Sequence, residues 1–193
     1  MTEHYFSKKP TSALDLKEIS VIANGKSYNF FTGSGVFSKS KLDFGTKVLV
    51  NNMVVNETDR VLDFGCGIGI VGRIVAEMCK EVVLIDVNER AVKLAKMNTK
   101  RLKNVKVLQS DMFENVEGKF NVILLNPPQT AGKKVCFKMI EECKEHLLKG
   151  GNLQLVARHN KGGETLSMHM KEVFGNVDTI VKKGGYRVYV SVA

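Results

Sequence analysis

The sequence predicts an α/β fold built on a doubly wound, mostly parallel sheet, and three observations carry that reading. The first is RVLDFGCGIGIVG over residues 60–72. There an apolar run meets Gly65, Gly67 and Gly69, and an apolar segment of helical spacing follows at once. Strand, glycine turn and helix form the opening unit of a nucleotide-binding α/β fold. The second is the downstream alternation of short apolar runs with helical segments, the signature of crossover connections in a parallel sheet. The third is a closing pair of strands about Gly184-Gly185, which supplies one antiparallel strand.

Taken in order, residues 1–15 are polar and carry Lys8, Lys9 and Pro10, so they read as a flexible leader. Residues 16–193 read as one domain, with a hairpin and cover helix over 16–58 and the core over 59–193. KEISVIANGKSYNFFT alternates apolar and polar residues about Asn24-Gly25, the strongest short signal for a type I′ hairpin. A loop with Gly33, Ser34, Gly35 and Ser38 follows. A helix is expected from Asp43, carrying Val48, Leu49 and Met53. Past the glycine turn, EVVLIDVN is a short buried strand ending at Asp86. Residues 89–100 form a helix with Ala91, Leu94, Ala95 and Asn98 at helical spacing. NVKVLQSD is a third strand ending at Asp111, and KFNVILLNPPQ a fourth running into Asn126-Pro127-Pro128. A helix over 133–147, the strand GGNLQLVAR and a helix over 163–174 complete the alternation.

The 193 residues suffice for a full-sized core, and 44% hydrophobic with 25% charged residues is ordinary for a soluble globular chain. No run reaches the length of a membrane span, and the N-terminal residues lack the apolar centre of a signal peptide, which places the protein in the cytoplasm. Cys66, Cys79, Cys136 and Cys143 show no CxxC or zinc spacing and read as free thiols. An excess of 29 basic over 20 acidic residues gives +9, which favours a polyanionic partner, though weakly.

One charge decides what the glycine turn holds. Gly67, Gly69 and Gly72 also satisfy GxGxxG, so a dinucleotide fold is a formal competitor. Asp63, at the end of the strand, would repel the pyrophosphate that such a site cradles. It would welcome a cation instead, such as the ammonium and sulfonium of S-adenosylmethionine. Asp86 lies 21 positions past Gly65, where α/β nucleotide folds place the acid that holds ribose hydroxyls. Ligands in such sheets bind at the carboxyl ends of strands, and four successive ends here carry Asp63, Asp86, Asp111 and Asn126.

Asn126-Pro127-Pro128-Gln129 indicates the reaction type. An aromatic amine is a poor nucleophile because its lone pair is delocalised into the ring. The Asn126 carboxamide oxygen and the Pro127 carbonyl can each accept one amine hydrogen. That pair favours a pyramidal nitrogen with its lone pair aimed at a methyl group. The prolines fix the backbone that aims both acceptors, so positioning and electrostatics do the work of a strong base.

DxGxGxG at Asp63 to Gly69 resembles motif I of the class I methyltransferases. NPP resembles motif IV of enzymes that methylate amino groups of nucleobases or of protein glutamine. GVFSKSKLDFGTKVLV, DFGCGIGIVG and NPPQ together resemble the small methyltransferase domain of the ribosomal small-subunit guanine-N2 methyltransferase C type. An archaeal single-domain protein of that family is similar along most of residues 16–193. The resemblance implies a seven-stranded Rossmann-like sheet with a reversed last strand, and S-adenosylmethionine as cofactor. It implies Asp63 and Gly65, Gly67 and Gly69 at the methionine end, Asp86 at the ribose and Asp111 at the adenine amino group. Val87, Met112 and Asn126 stand beside them in the cofactor-binding set, with Phe37 and Thr46 as cover. Two departures stand out. The familiar bacterial enzymes carry a second, degenerate copy of the domain. Gln129 also stands where Phe or Tyr often stacks on the target base, which leaves either Phe37 or Tyr186 to stack or a different substrate.

Lys39, Lys41, Lys133, Lys134, Arg158, Lys161, Lys182, Lys183 and Arg187 fall in segments that should open on the cofactor edge of the sheet, as a phosphate-binding rim. Pro128, Gln129, Lys133, Lys134, Lys41, Arg158 and Arg187 form the expected substrate set, with RNA, most simply ribosomal, as partner. Cys136 reads as a buried thiol in a helix away from the prolines. The histidines show no metal spacing; of them His159, at a strand end, could touch substrate. The leading reading is methylation of an exocyclic base amine, guanine in ribosomal RNA. Protein glutamine, DNA adenine or a non-catalytic RNA-binding module of the same fold are the alternatives; an NAD-dependent dehydrogenase is more remote.

Overall fold

The computed structural model describes residues 15–36 and 42–193, with Gln129 described by its backbone alone. Residues 1–14 of the expected leader, Phe37, Lys39 and Lys41 lie outside these residues. β1 (Lys17–Ala23) and β2 (Lys26–Thr32) pair antiparallel across Asn24-Gly25. Both turn residues have positive φ, 49° and 75°, the type I′ geometry that an Asn-Gly pair favours. The turn docks on the end of α1 (Phe44–Val50), where Asn24 donates to Val50 O and to Asn51 Oδ1. α1 opens at Asp43, whose carboxylate accepts the Thr46 N–H at 2.9 Å as an N-cap. Met53 lies beyond the end of this helix.

The main sheet contains β3 (Arg60–Phe64), β4 (Glu81–Asp86), β5 (Val105–Gln109), β6 (Phe120–Leu125), β7 (Leu147–Arg158), β8 (Asp178–Lys183) and β9 (Tyr186–Val192). Its order is β5-β4-β3-β6-β7-β9-β8, and every pairing is parallel except those of β9 with β7 and β8. This is the doubly wound sheet with a reversed last strand that the sequence predicts. The third strand is shorter than expected: it stops at Gln109. The chain then turns, with Met112 at a positive φ of 51° and Ser110 N–H bonded back to Asp86 O. Asp111 therefore stands two residues beyond a strand end.

Helices cover both faces. α2 (Ile70–Val75), α3 (Glu89–Thr99), α1 and the hairpin pack on one side, against Val61, Val82, Leu84, Val122, Leu124 and Val156. α4 (Lys133–Glu145) and α5 (Gly163–Phe174) pack on the other, against Leu62, Val83, Ile85, Ile123, Leu125 and Leu155. Successive residues of one strand thus bury themselves in opposite cores, which is why these strands read as unbroken apolar runs. Gly72 lets α2 come close to the sheet, since a Cβ there would stand 2.5 Å from Leu84. That close approach accounts for the last glycine of GxGxxG without any dinucleotide. Among the described residues no helix is long and apolar enough to cross a membrane.

One buried amide joins the hairpin to the core. Asn98 of α3 accepts from Phe31 N at 2.7 Å, and its nitrogen donates to Phe31 O and to Ile68 O, each at 2.9 Å. A carbonyl of the glycine turn and a peptide of β2 are thereby held by one side chain.

Candidate active site

The order of strands reverses between β3 and β6, the point at which an open α/β sheet leaves a crevice above its carboxyl ends. A cavity of about 410 Å³ opens there. The glycine turn is folded over it: Gly65 N and Cys66 N both donate to Ile85 O at 2.9 Å. Gly67, at a φ of 54°, has no heavy atom within 4 Å of the place a Cβ would take, so its bare backbone faces open space.

Two carboxylates stand on the wall. Asp63 is 4% exposed, and its Oδ2 accepts the Gly72 N–H at 2.8 Å. Burial pushes its carboxyl up to about 7. Asp86 accepts the Gly67 N–H on Oδ2 and the Asn88 N–H on Oδ1, each at 2.8 Å, and burial raises its pKa as well. Two partly desolvated acids beside bare glycine backbone fit a ligand that carries positive charge and hydroxyls. Val87, Asp111 and Met112 continue the wall on the β5 side, and Gly65 lies on it too. Gly69 is absent from the lining; it sits at a φ of 82° as the cap residue of α2.

Opposite, Asn126, Pro127 and Pro128 follow β6 and line the same cavity. The Asn126 amide nitrogen donates to Asp43 Oδ2 at 3.2 Å and to Thr46 Oγ1 at 3.0 Å. Both of its hydrogens are thus committed, and the carboxamide oxygen is the atom left to accept from a ligand. Thr46 lines the cavity as well, so this expected cover residue also holds Asn126. Cys136 is buried, with a thiol pKa raised by burial, yet its sulfur lies 3.9 Å from Pro128 O. The expectation that it stands away from the prolines is corrected: the first turn of α4 folds back onto them.

The basic residues divide into two places. Lys133 and Lys134 are exposed at the start of α4, whose Val135 and Met139 line the cavity. Arg187 lies in a separate open cleft with His159, Asn160, Lys182, Lys183 and Tyr186. Arg158 is exposed at the end of β7, next to this cleft. All sit at the edge of the sheet where β6 and β7 end, and none of them lines the cavity. The Tyr186 ring packs on Phe44, with centroids 5.6 Å apart, and is likewise outside the cavity lining. His159 Nδ1 pairs with the Tyr189 hydroxyl at 2.9 Å.

Sequence reasoning missed Asn88 and Asp43 as parts of the site. Asn88 is fully buried, caps α3, and donates to Gly35 O at 3.1 Å. The Asp-Val-Asn-Glu order just before a helix carried that capping signal. The link from Asp43 to Asn126 spans 83 residues, and no local pattern announces it.

Sheet order, glycine turn and cavity together define a class I methyltransferase, an enzyme that uses S-adenosylmethionine. A family model described as the methyltransferase small domain matches residues 27–190, and the chain belongs to that family. It is 38% identical to the uncharacterized protein YbxB of Bacillus subtilis over 97% of each chain. It is 34% identical to a ribosomal RNA small subunit methyltransferase C of Hamiltonella defensa, over 80% of this chain and 47% of that one. Among solved structures it resembles the T. thermophilus 16S rRNA N2 methyltransferase RsmC, in complex with AdoMet and guanosine. The TM-score there is 0.81 at 27% identity, over 95% of this chain and 52% of that one. A methyltransferase from Pyrococcus furiosus gives a TM-score of 0.63 at 26% identity, over 72% and 77% of the two chains. The chain thus spans about half the length of the methyltransferase C relatives and nearly all of the B. subtilis protein.

Proposed function

We propose that the protein methylates an exocyclic amino group of a nucleobase, namely N2 of guanine in ribosomal RNA of the small subunit. The observation that carries this reading is the committed amide nitrogen of Asn126, which leaves that side chain its oxygen alone to offer a ligand in the cavity. An amino group is the donor that fits such an acceptor. Support for guanine in ribosomal RNA comes from the relatives named methyltransferase C and from the guanosine in the T. thermophilus complex.

When bound, S-adenosylmethionine supplies an electrophilic methyl on a positively charged sulfur. In this reading Asp63 receives its ammonium and Asp86 its ribose hydroxyls, with Gly65, Gly67, Val87, Asp111 and Met112 lining the rest. Asn126 Oδ1 and the Pro127 carbonyl each accept one hydrogen of the target amine. The nitrogen would then pyramidalise with its lone pair clear of the ring; as it takes the methyl, the bond to sulfur would break and one amine proton would pass to solvent. Pro128, Lys133 and Lys134 meet the incoming strand. The cleft of Lys182, Lys183 and Arg187 takes phosphates further along, as the +9 charge favours.

The test is methyl transfer from labelled S-adenosylmethionine to naked small-subunit RNA and to assembled particles, with the product base mapped by mass. N2-methylguanine is the expected product. Label on adenine, on a protein glutamine, or on neither would overturn the reading.

A further inference from the structure

We propose that Asp43 is a positioning residue for methyl transfer: the carboxylate oxygen that caps α1 also sets which way the Asn126 carboxamide faces. The inference rests on the reading of Asn126 as acceptor of the target amine. Asp43 Oδ2 is shared by three donors. It takes the Thr46 N–H at 2.9 Å, the Thr46 hydroxyl at 3.4 Å and the Asn126 amide at 3.2 Å. The Thr46 hydroxyl gives its proton to Asp43, so its lone pairs are left to accept from Asn126 at 3.0 Å.

A carboxylate only accepts, so it can face only the NH2 end of a carboxamide. The flipped carboxamide would set Oδ1 against Oδ2 and leave the Thr46 lone pairs facing an oxygen. The Asn126 orientation is therefore imposed from outside its own loop. A negative partner at the nitrogen also polarises the amide and makes Oδ1 a stronger acceptor.

The neighbours of Asp43 hold it there. A Cβ at Gly45 would stand 2.9 Å from Tyr186 Cε1 and 3.0 Å from Asp43 Oδ2, so only glycine lets the ring close over the start of α1. Phe44 packs against Tyr186, and Gly184 has no room for a side chain beside that phenyl ring. Asp43, Phe44, Gly45 and Thr46 thus brace the Asn126 amide against the β8–β9 turn.

Asp43→Ser separates capping from positioning. A serine hydroxyl still accepts the Thr46 N–H, but its shorter side chain does not reach Asn126. Single-turnover transfer at saturating cofactor should fall roughly ten- to fiftyfold, with cofactor affinity and the unfolding midpoint little changed. Asp43→Asn should restore the rate to within about threefold of wild type, because its carbonyl can replace Oδ2 without the charge. In an Asn126→Ala background Asp43→Ser should cost nothing further, since the two act as one unit. A serine variant within about twofold of wild type, or an equal further loss in that background, would overturn the proposal.

A second readout needs no substrate. The Asn126 side-chain amide cross-peak, assigned by its loss in Asn126→Ala, should be shifted in wild type and in Asp43→Asn and move toward random-coil positions in Asp43→Ser. A random-coil position in wild type overturns the role of Asp43 even if RNA is methylated. A shifted cross-peak with no transfer to RNA leaves that role intact and removes the substrate reading instead.

Discussion

Asp86 and Gly67 are joined at 2.8 Å, carboxylate oxygen to backbone N–H, so the end of β4 is tied to the crest of the glycine turn. The other carboxylate oxygen serves the Asn88 N–H at the same distance. Asp86→Ala leaves both N–H groups without their acceptor, a loss on the order of 1–3 kcal/mol in stability. In the proposed role it also removes the ribose contact, and S-adenosylmethionine should bind weaker by about 1.5–3 kcal/mol. Calorimetric titration on folded variant checks this; unchanged affinity would take Asp86 out of the cofactor site.

Asp63 gives a prediction about pH. Its carboxyl is raised to about 7 by burial, so it favours the folded protein most in its protonated form. That stability is fully present below the usual carboxylate range and is lost as pH rises through about 7. A cationic ligand wants the opposite form. Cofactor affinity should therefore climb between pH 6 and pH 7, by up to about tenfold, as the carboxylate ionises. Asp63→Asn keeps an acceptor for Gly72 N–H. It should be the more stable protein at pH 8 without ligand, yet bind cofactor weakly and without that acid limb. A thermal melt series and titrations across pH measure both, and parallel pH profiles in wild type and variant would contradict the assignment.

Removing the carboxamide at Asn126 should strike turnover. Asn126→Ala deletes an acceptor needed as the amine pyramidalises, worth roughly 3–4 kcal/mol, or about a hundred- to a thousandfold in rate. Cofactor affinity should hold, since the proposed methionine and ribose contacts come from the ends of β3 and β4. Single-turnover transfer on saturated enzyme within about threefold of wild type would rule the mechanism out.

At Gly45 the expected effect is steric. An alanine methyl would stand 2.9 Å from the Tyr186 ring and 3.0 Å from the Asp43 carboxylate. Gly45→Ala should cost about 1–3 kcal/mol as the ring and the cap move apart. Denaturant unfolding that shows no loss would mean the ring yields freely.

Charge reversal at Lys133 and Lys134 tests the exposed start of α4. It should raise the Michaelis constant for RNA and flatten its dependence on salt while leaving cofactor affinity alone. An unaltered salt slope would assign both lysines to plain solvation.

Residues whose chemistry is local are legible in the amino-acid order itself. Asn24-Gly25 fixes its own turn type, and Asp63 through Gly69 announces strand, turn and helix within a dozen positions. The alternating burial of β3, β4 and β6 is likewise written as apolar runs. What stayed hidden depends on long-range closure. Asp43 meets Asn126 only because α1 packs over β7 and β9, and Tyr186 settles on Phe44 because β9 runs backwards beside β7. Lys133, Lys134, Arg158, Lys182, Lys183 and Arg187 lie where β6 and β7 end, yet spacing could not show that they gather in two places. Asp111 sits past its strand, followed by Met112 in a left-handed backbone that a Ser-Asp-Met sequence does not advertise.

The three bonds of Asn98 have a consequence in time. The Phe31 peptide of the hairpin and the Ile68 carbonyl of the glycine turn share one side chain. The hairpin therefore cannot lift away without releasing a strap on the turn beneath. A ligand that quiets the turn should slow the breathing of β1 and β2, although neither strand lines the cavity. Amide exchange at Phe31 then becomes a clock for cavity occupancy, read from a strand that the ligand never meets.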